Sequence, residues 1–97
     1  MEPMETLTHL SLQKPPEFLF YATDERSVDL YMREGLNGLL WLYETAEDAR
    51  RSVRRVFPYF IIIVLAEVMY ADGYRFSRAE TGEWVSPTIP IKYLRLQ

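Results

Sequence analysis

The chain has 97 residues, no cysteine, a single histidine and a formal charge of −3. That length makes one domain, close to the smallest size at which a single core suffices without staples, and the missing cysteines exclude disulfides, thiolate metal sites and a cysteine nucleophile. Mild acidity argues against broad non-specific nucleic-acid binding, while leaving room for a local phosphate contact.

Residues 1–14 carry no clear periodicity and stop at Pro15-Pro16, so they read as an N-terminal tail or a short edge strand ahead of a domain over residues 15–97. His9 lies in this stretch with no convergent ligands beside it, and no metal site is expected. Glu2, Pro3 and Glu5 interrupt any signal-peptide pattern. EFLFYA (17–22) reads as a strand, and Thr23 or Asp24 can cap a helix that runs through Arg33 and ends at Gly35. LLWLY (39–43) is a second strand after the Asn37-Gly38 turn.

Thr45, with Asp48 three residues on, opens a helix of about three turns over ETAEDARRSVRRV, which Pro58 ends. Its acidic start and basic end follow the helix dipole, so a solvated surface helix accounts for most of its arginines. YFIIIVLA (59–66) is apolar on both faces, as a central strand covered on each side must be. The apolar run around it, Phe57 to Tyr70, is broken by Pro58 and Glu67 and falls short of the roughly 20 residues of a spanning helix. A soluble, cytoplasmic protein with no membrane partner is expected. A turn or short helix ends at Asp72-Gly73, YRFSR (74–78) and EWVS (83–86) flank a hairpin loop AETG, and IPIKYLRL returns as a strand.

Four blocks in this order, PPEFLFYAT, LWLYETAEDAR, the spacing from Ala49-Arg50 through FIIIVLAEVM, and DGYRFSRAETGEWVSPTIPIKYLRL, resemble the C-terminal, NAD-binding lobe of the RNA 2'-phosphotransferases. The resemblance implies an α+β, ADP-ribosyltransferase-like fold: a split, mainly antiparallel sheet around a cleft with two flanking helices. It also implies NAD as cofactor, with an RNA 2'-phosphate attacking the nicotinamide ribose and arginines clamping the phosphates.

The sequence departs from that family at its histidines. The family's His-Gly-Thr is matched by Tyr21, Ala22 and Thr23, and its His-Leu-Ser by Trp41, Leu42 and Tyr43. Tryptophan donates one hydrogen bond and accepts none, so Trp41 cannot grip a ribose hydroxyl as an imidazole does; packing is the favoured role for it, and the aromatics are expected to refill the pocket. The matching phosphate-clamping arginine falls on Arg55. The family's Asn-Gly-Val-Trp reads Thr81, Gly82, Glu83 and Trp84, which puts a carboxylate where other branches of the superfamily use glutamate to polarise the ribose.

The resulting candidate site has Glu83 and Arg55 as catalytic residues and Tyr21, Ala22, Thr23, Trp41, Tyr43 and Trp84 as cofactor-binding residues, with weak or absent NAD binding and no metal. Three functions remain open. The first is a stand-alone relative of the NAD-binding lobe, catalytically altered or silent, that binds a nucleotide, an RNA phosphate or a protein partner. The second is a minimal NAD-dependent ADP-ribosyltransferase with a rewired Tyr21/Tyr43/Glu83 site, and the third an interaction module with a filled cleft.

Overall fold

Alternation of apolar and polar positions along Tyr59–Val64 sends Phe60, Ile62 and Val64 to one face of a strand and Tyr59 and Ile61 to the other, and the fold is organised around that division. The computed structural model describes residues 10–53 and 59–97. In chain order they form β1 (Leu10–Gln13), β2 (Leu19–Asp24), α1 (Glu25–Glu34), β3 (Leu40–Leu42), α2 (Ala46–Arg51), β4 (Tyr59–Val64), α3 (Ala66–Ala71), β5 (Phe76–Ala79), β6 (Trp84–Ser86), a 3₁₀ turn (Ile91–Tyr93) and β7 (Leu94–Leu96). The strands make two sheets, ordered β1-β5-β6-β3 and β2-β4-β7, with every neighbouring pair antiparallel. The protein is therefore α+β with a split antiparallel sheet, and β4 is the centre of the smaller half.

The register of β2 on β4 pairs Leu19 with Val64, Tyr21 with Ile62 and Thr23 with Phe60 on one face. That face joins the inward residues of the other sheet, Leu42, Phe76 and Trp84 among them, in the main core. Phe20, Ala22, Tyr59 and Ile61 occupy the opposite face and pack with Ala49 of α2 in a second, smaller cluster.

α1 has the caps its sequence promises. Asp24 accepts a 2.8 Å hydrogen bond from the Ser27 amide, and this bond holds the Asp24 carboxyl below its ordinary pKa. Gly35 closes the helix at φ 90°, where a Cβ would stand 2.7 Å from the Ile89 carbonyl oxygen, so glycine is required twice over. Between the caps, Val28, Tyr31 and Met32 face the core at helical spacing. At the far end of the core, the Tyr93 hydroxyl donates to Asp72 Oδ2 at 2.6 Å, which ties the end of α3 to the 3₁₀ turn and, with burial, raises the Tyr93 pKa.

Three features differ from the sequence reading, and the alternative left open at the N-terminus is settled. Within residues 1–14, Leu10–Gln13 form the edge strand rather than a tail, paired with β5 from Leu10 opposite Ala79 to Gln13 opposite Phe76, so the sheet begins before Pro15-Pro16. Three helices flank the sheets where two were expected, because the segment before Asp72-Gly73 makes a full short helix. The predicted three-turn helix after Thr45 is helical from Ala46 to Arg51 and has left the helix at Ser52, whose hydroxyl turns back onto the Ala49 carbonyl at 2.6 Å and competes with the backbone ladder, while its predicted continuation over 54–56 lies outside the described residues. The expected terminal strand begins as the 3₁₀ turn after Pro90, and only Leu94–Leu96 pairs with β4. Among the described residues, no helix is long and apolar enough to cross a membrane.

Candidate functional site: a cleft where the two sheets part

β2 and β3 meet at one place. Phe20 N donates to Tyr43 O at 2.8 Å and Tyr43 N donates to Phe20 O at 3.0 Å, after which the strands continue into different sheets. Two adjoining cavities lie beside this junction, of about 510 Å³ and about 250 Å³; they share Tyr43 and Ser52 on their walls and are treated together as the wide and narrow parts of one cleft. Tyr21, Ala22 and Trp41 line the narrow part, and Glu44, Arg51, Arg78 and Glu83 line the wide part.

The β5–β6 hairpin builds the wall of the wide part. Gly82 N donates to Ala79 O (3.0 Å), Ala79 N donates to Glu83 O (2.8 Å), and Gly82 takes φ 101°, the three-residue loop with a glycine bulge. This turn sets Glu83 at the lip of the cleft, where the Thr81 hydroxyl donates to its carboxylate. It also sets the register that places Arg78 opposite Trp84. The Arg78 guanidinium lies 5.6 Å from the Trp84 ring centre and 3.3 Å from Glu44 Oε2, and the Trp84 indole N–H donates to that same oxygen at 2.7 Å. Arg78 Nε is buried and has no hydrogen-bond partner among the described residues.

The structure brings most of the predicted site residues together and separates a few. Tyr21, Ala22, Trp41, Tyr43 and Glu83 all line the cleft. The Tyr21 ring meets that of Tyr31 edge-on at 5.9 Å, and burial, followed by the neighbouring Tyr31, pushes its hydroxyl pKa up to about 12, so it is a neutral donor at physiological pH. Trp41 lies on the cleft wall and outside the core. It is 47% exposed because Leu40 and Leu42 take the inward positions of β3 and leave it the outward one. The aromatics therefore border the cleft without closing it.

Thr23 is buried away from the cleft and leaves capping to Asp24. Trp84 is 3% exposed and does not line the cleft; it lies beneath the wall and holds Glu44. Arg55 lies outside the described residues. Sequence reasoning missed Glu44, which it assigned to a solvated helix start, and Arg78, which it passed over. Their one signal was the hairpin register opposite Trp84, and it carries no information about a residue 40 positions away in the chain.

Arg51 is held by Glu47 at 3.0 Å and Asp48 at 3.5 Å, and Arg78 by Glu44, so the two arginines that line the cleft among the described residues are already matched by carboxylates. Aromatic walls with scattered hydroxyl and carboxylate groups fit the nucleoside portions of a dinucleotide such as NAD, whereas its pyrophosphate would have to compete for those arginines. No group of three or more metal-ligating side chains is present among the described residues.

Comparison with known proteins gives a consistent picture. A protein of Pseudomonas fluorescens named "Probable RNA 2'-phosphotransferase" is 28% identical over 90 residues, covering 89% of this chain and 50% of its own length. The chain is similar to RNA 2'-phosphotransferases. Proteins of that name from Agrobacterium fabrum and Acaryochloris marina are 33% and 32% identical, covering 84% and 81% of this chain and 46% of their own lengths. The chain thus spans about half the length of the curated RNA 2'-phosphotransferases it matches. No protein-family model matches it.

Proposed function

We propose that this chain corresponds to the C-terminal, NAD-binding lobe of the RNA 2'-phosphotransferases, an ADP-ribosyltransferase-type fold, and that its cleft binds a nucleotide while the phosphotransfer chemistry is altered or silent. The observation that carries the reading is the open cleft at the parting of the sheets, with Tyr21, Trp41, Tyr43 and Glu83 on its walls. Similarity along most of this chain to about half the length of each relative supports the kinship with RNA 2'-phosphotransferases on which this reading builds.

NAD itself should bind weakly. The two histidine positions of the family carry Tyr21 and Trp41, and losing a directed polar contact that leaves cofactor groups desolvated costs about 1–3 kcal/mol. Two independent losses amount to about two to four orders of magnitude in affinity. The pairing of Arg51 and Arg78 with their own carboxylates works in the same direction.

The position of Glu83 in the open cleft favours a second reading, a minimal ADP-ribosyltransferase in which Tyr21 and Tyr43 flank the nicotinamide ribose and Glu83 polarises it. Calorimetric titration with NAD, ADP-ribose and nicotinamide separates the alternatives. Detectable ADP-ribose binding with NAD near the millimolar range agrees with the first reading. Low-micromolar NAD binding, with NAD hydrolysis or ADP-ribose transfer abolished by Glu83→Ala, replaces it with the second. Absence of binding by any of the three leaves the interaction module.

A further inference from the structure

We infer that Glu44 is the ligand-anchoring carboxylate of the cleft and that its complement is the vicinal diol of a ribose. This rests on the nucleotide-binding reading and adds to it the group recognised and the residue that recognises it. Both groups that hold Glu44, the Trp84 indole N–H that donates at 2.7 Å and the Arg78 guanidinium paired through Nη2 at 3.3 Å, meet Oε2. Among the described residues, no donor engages Oε1, and Glu44 lines the wide part of the cleft.

A carboxylate gripped through one oxygen has its rotamer settled in advance, so the other oxygen can accept a ligand's hydrogen bond with little further loss of side-chain freedom. Trp84 is rigid in this role because it is 3% exposed and packed in the main core. The charge state of the pair selects the ligand class. Arg78 already compensates the negative charge of Glu44, so an ammonium or guanidinium ligand gains little by approaching, and a second carboxylate or phosphate would be repelled from Oε1. Neutral donors suit such an acceptor, and a ribose presents two of them side by side.

Position supports the same choice. Tyr43 lies next to Glu44 in the chain and belongs to both parts of the cleft, with Trp41 in the narrow part beyond it. A sugar held at Glu44 would thus have its attached base beside aromatic side chains.

The experiment compares adenosine monophosphate and nicotinamide mononucleotide with their 2',3'-dideoxy counterparts, by calorimetry and by the Trp84 indole N–H resonance, in the native chain and in Glu44→Gln. The substitution isolates the role: the two donors require an oxygen, so the amide oxygen of Gln turns toward Trp84 and Arg78 and its NH2 faces the cleft, keeping the hold but removing the acceptor. The native chain is expected to bind at least one ribonucleotide about tenfold more tightly than its dideoxy form, the worth of a charge-assisted hydrogen bond. Only the diol-bearing ligand should shift the indole resonance. In Glu44→Gln the preference should fall to within about twofold, while the loss of the partly exposed Arg78 ion pair lowers the melting temperature by a few degrees at most. Binding without a diol preference, or a preference that survives the substitution, overturns this inference and leaves nucleotide binding standing. Absence of binding by every ligand overturns both. Should Glu44→Gln fail to fold, the ligand dependence of the native indole shift still decides.

Discussion

The two faces of the β2–β4 pair were built for different purposes. One carries Leu19, Ile62 and Val64 into a core that includes Phe76, Trp84 and Tyr93 from the rest of the chain, all fully or nearly fully buried. The other carries Ala22 and Ile61 against the short helix α2, with Ala49 as the buried contact among the described residues. Large branched side chains fill space and supply stability, whereas alanines allow α2 to approach the strands closely while burying little area. The cleft borders the thin face: Ala22 lines its narrow part, and Ser52, just past α2, lines both parts. Among the described residues, the larger buried side chains thus lie on one side of these two strands, while Ala22 and Ser52 border the cleft on the other.

The largest expected effect tests the thick face. Ile62→Ala should cost about 2–5 kcal/mol in urea unfolding, because Ile62 is wholly buried and the cavity cannot collapse, whereas Ile63→Ala, at a half-buried position on the same strand, should cost less than about 2 kcal/mol. Equal losses at the two positions would erase the distinction between the faces. On the thin face the risk is reversed. Ala49→Leu should destabilise by about 1–3 kcal/mol through overpacking, and a neutral result in the same assay would mean that α2 can lift freely off the strands.

Removing residues 1–13 shifts the comparison to the sheet edge, where Leu10–Gln13 pair with β5. β1 pairs only at the sheet edge, and Leu12 is 70% exposed, so its loss removes backbone hydrogen bonds and little buried area. A loss of about 1–2 kcal/mol is expected, readable as a lower melting temperature with ligand titrations unchanged.

The smallest effect concerns pH. The Tyr21 hydroxyl has its pKa raised from about 10 to about 12 in the fold, so the unfolded chain ionises first. The stability contributed by the neutral phenol is complete below pH 10 and is lost as the pH rises toward 12. Tyr21→Phe should flatten the fall in stability over that interval, measured by denaturation at successive pH values. An unchanged slope would show that Tyr21 is not the group responsible.

Local chemistry was legible from the residues alone wherever a few neighbouring positions settle a conformation. Asp24 and Gly35 bracket α1, Thr45 starts α2 by accepting the Asp48 amide at 3.0 Å, and a loop within Ala79–Gly82 turns the hairpin, because a cap or a turn is decided by side chains within a few residues of the backbone they bond. The length and two-sided apolarity of Tyr59–Val64 likewise marked a central strand, since covering both faces requires it. Only the tertiary structure decided the rest. Leu10–Gln13 became a strand because the edge of β5 was available to pair it, and Trp41 faces outward because its neighbours claimed the inward positions of β3. The Glu44–Arg78–Trp84 arrangement depends on the register of a hairpin laid beside β3, and a register joins residues that are remote in the chain through backbone pairing rather than through any pattern of spacing along it.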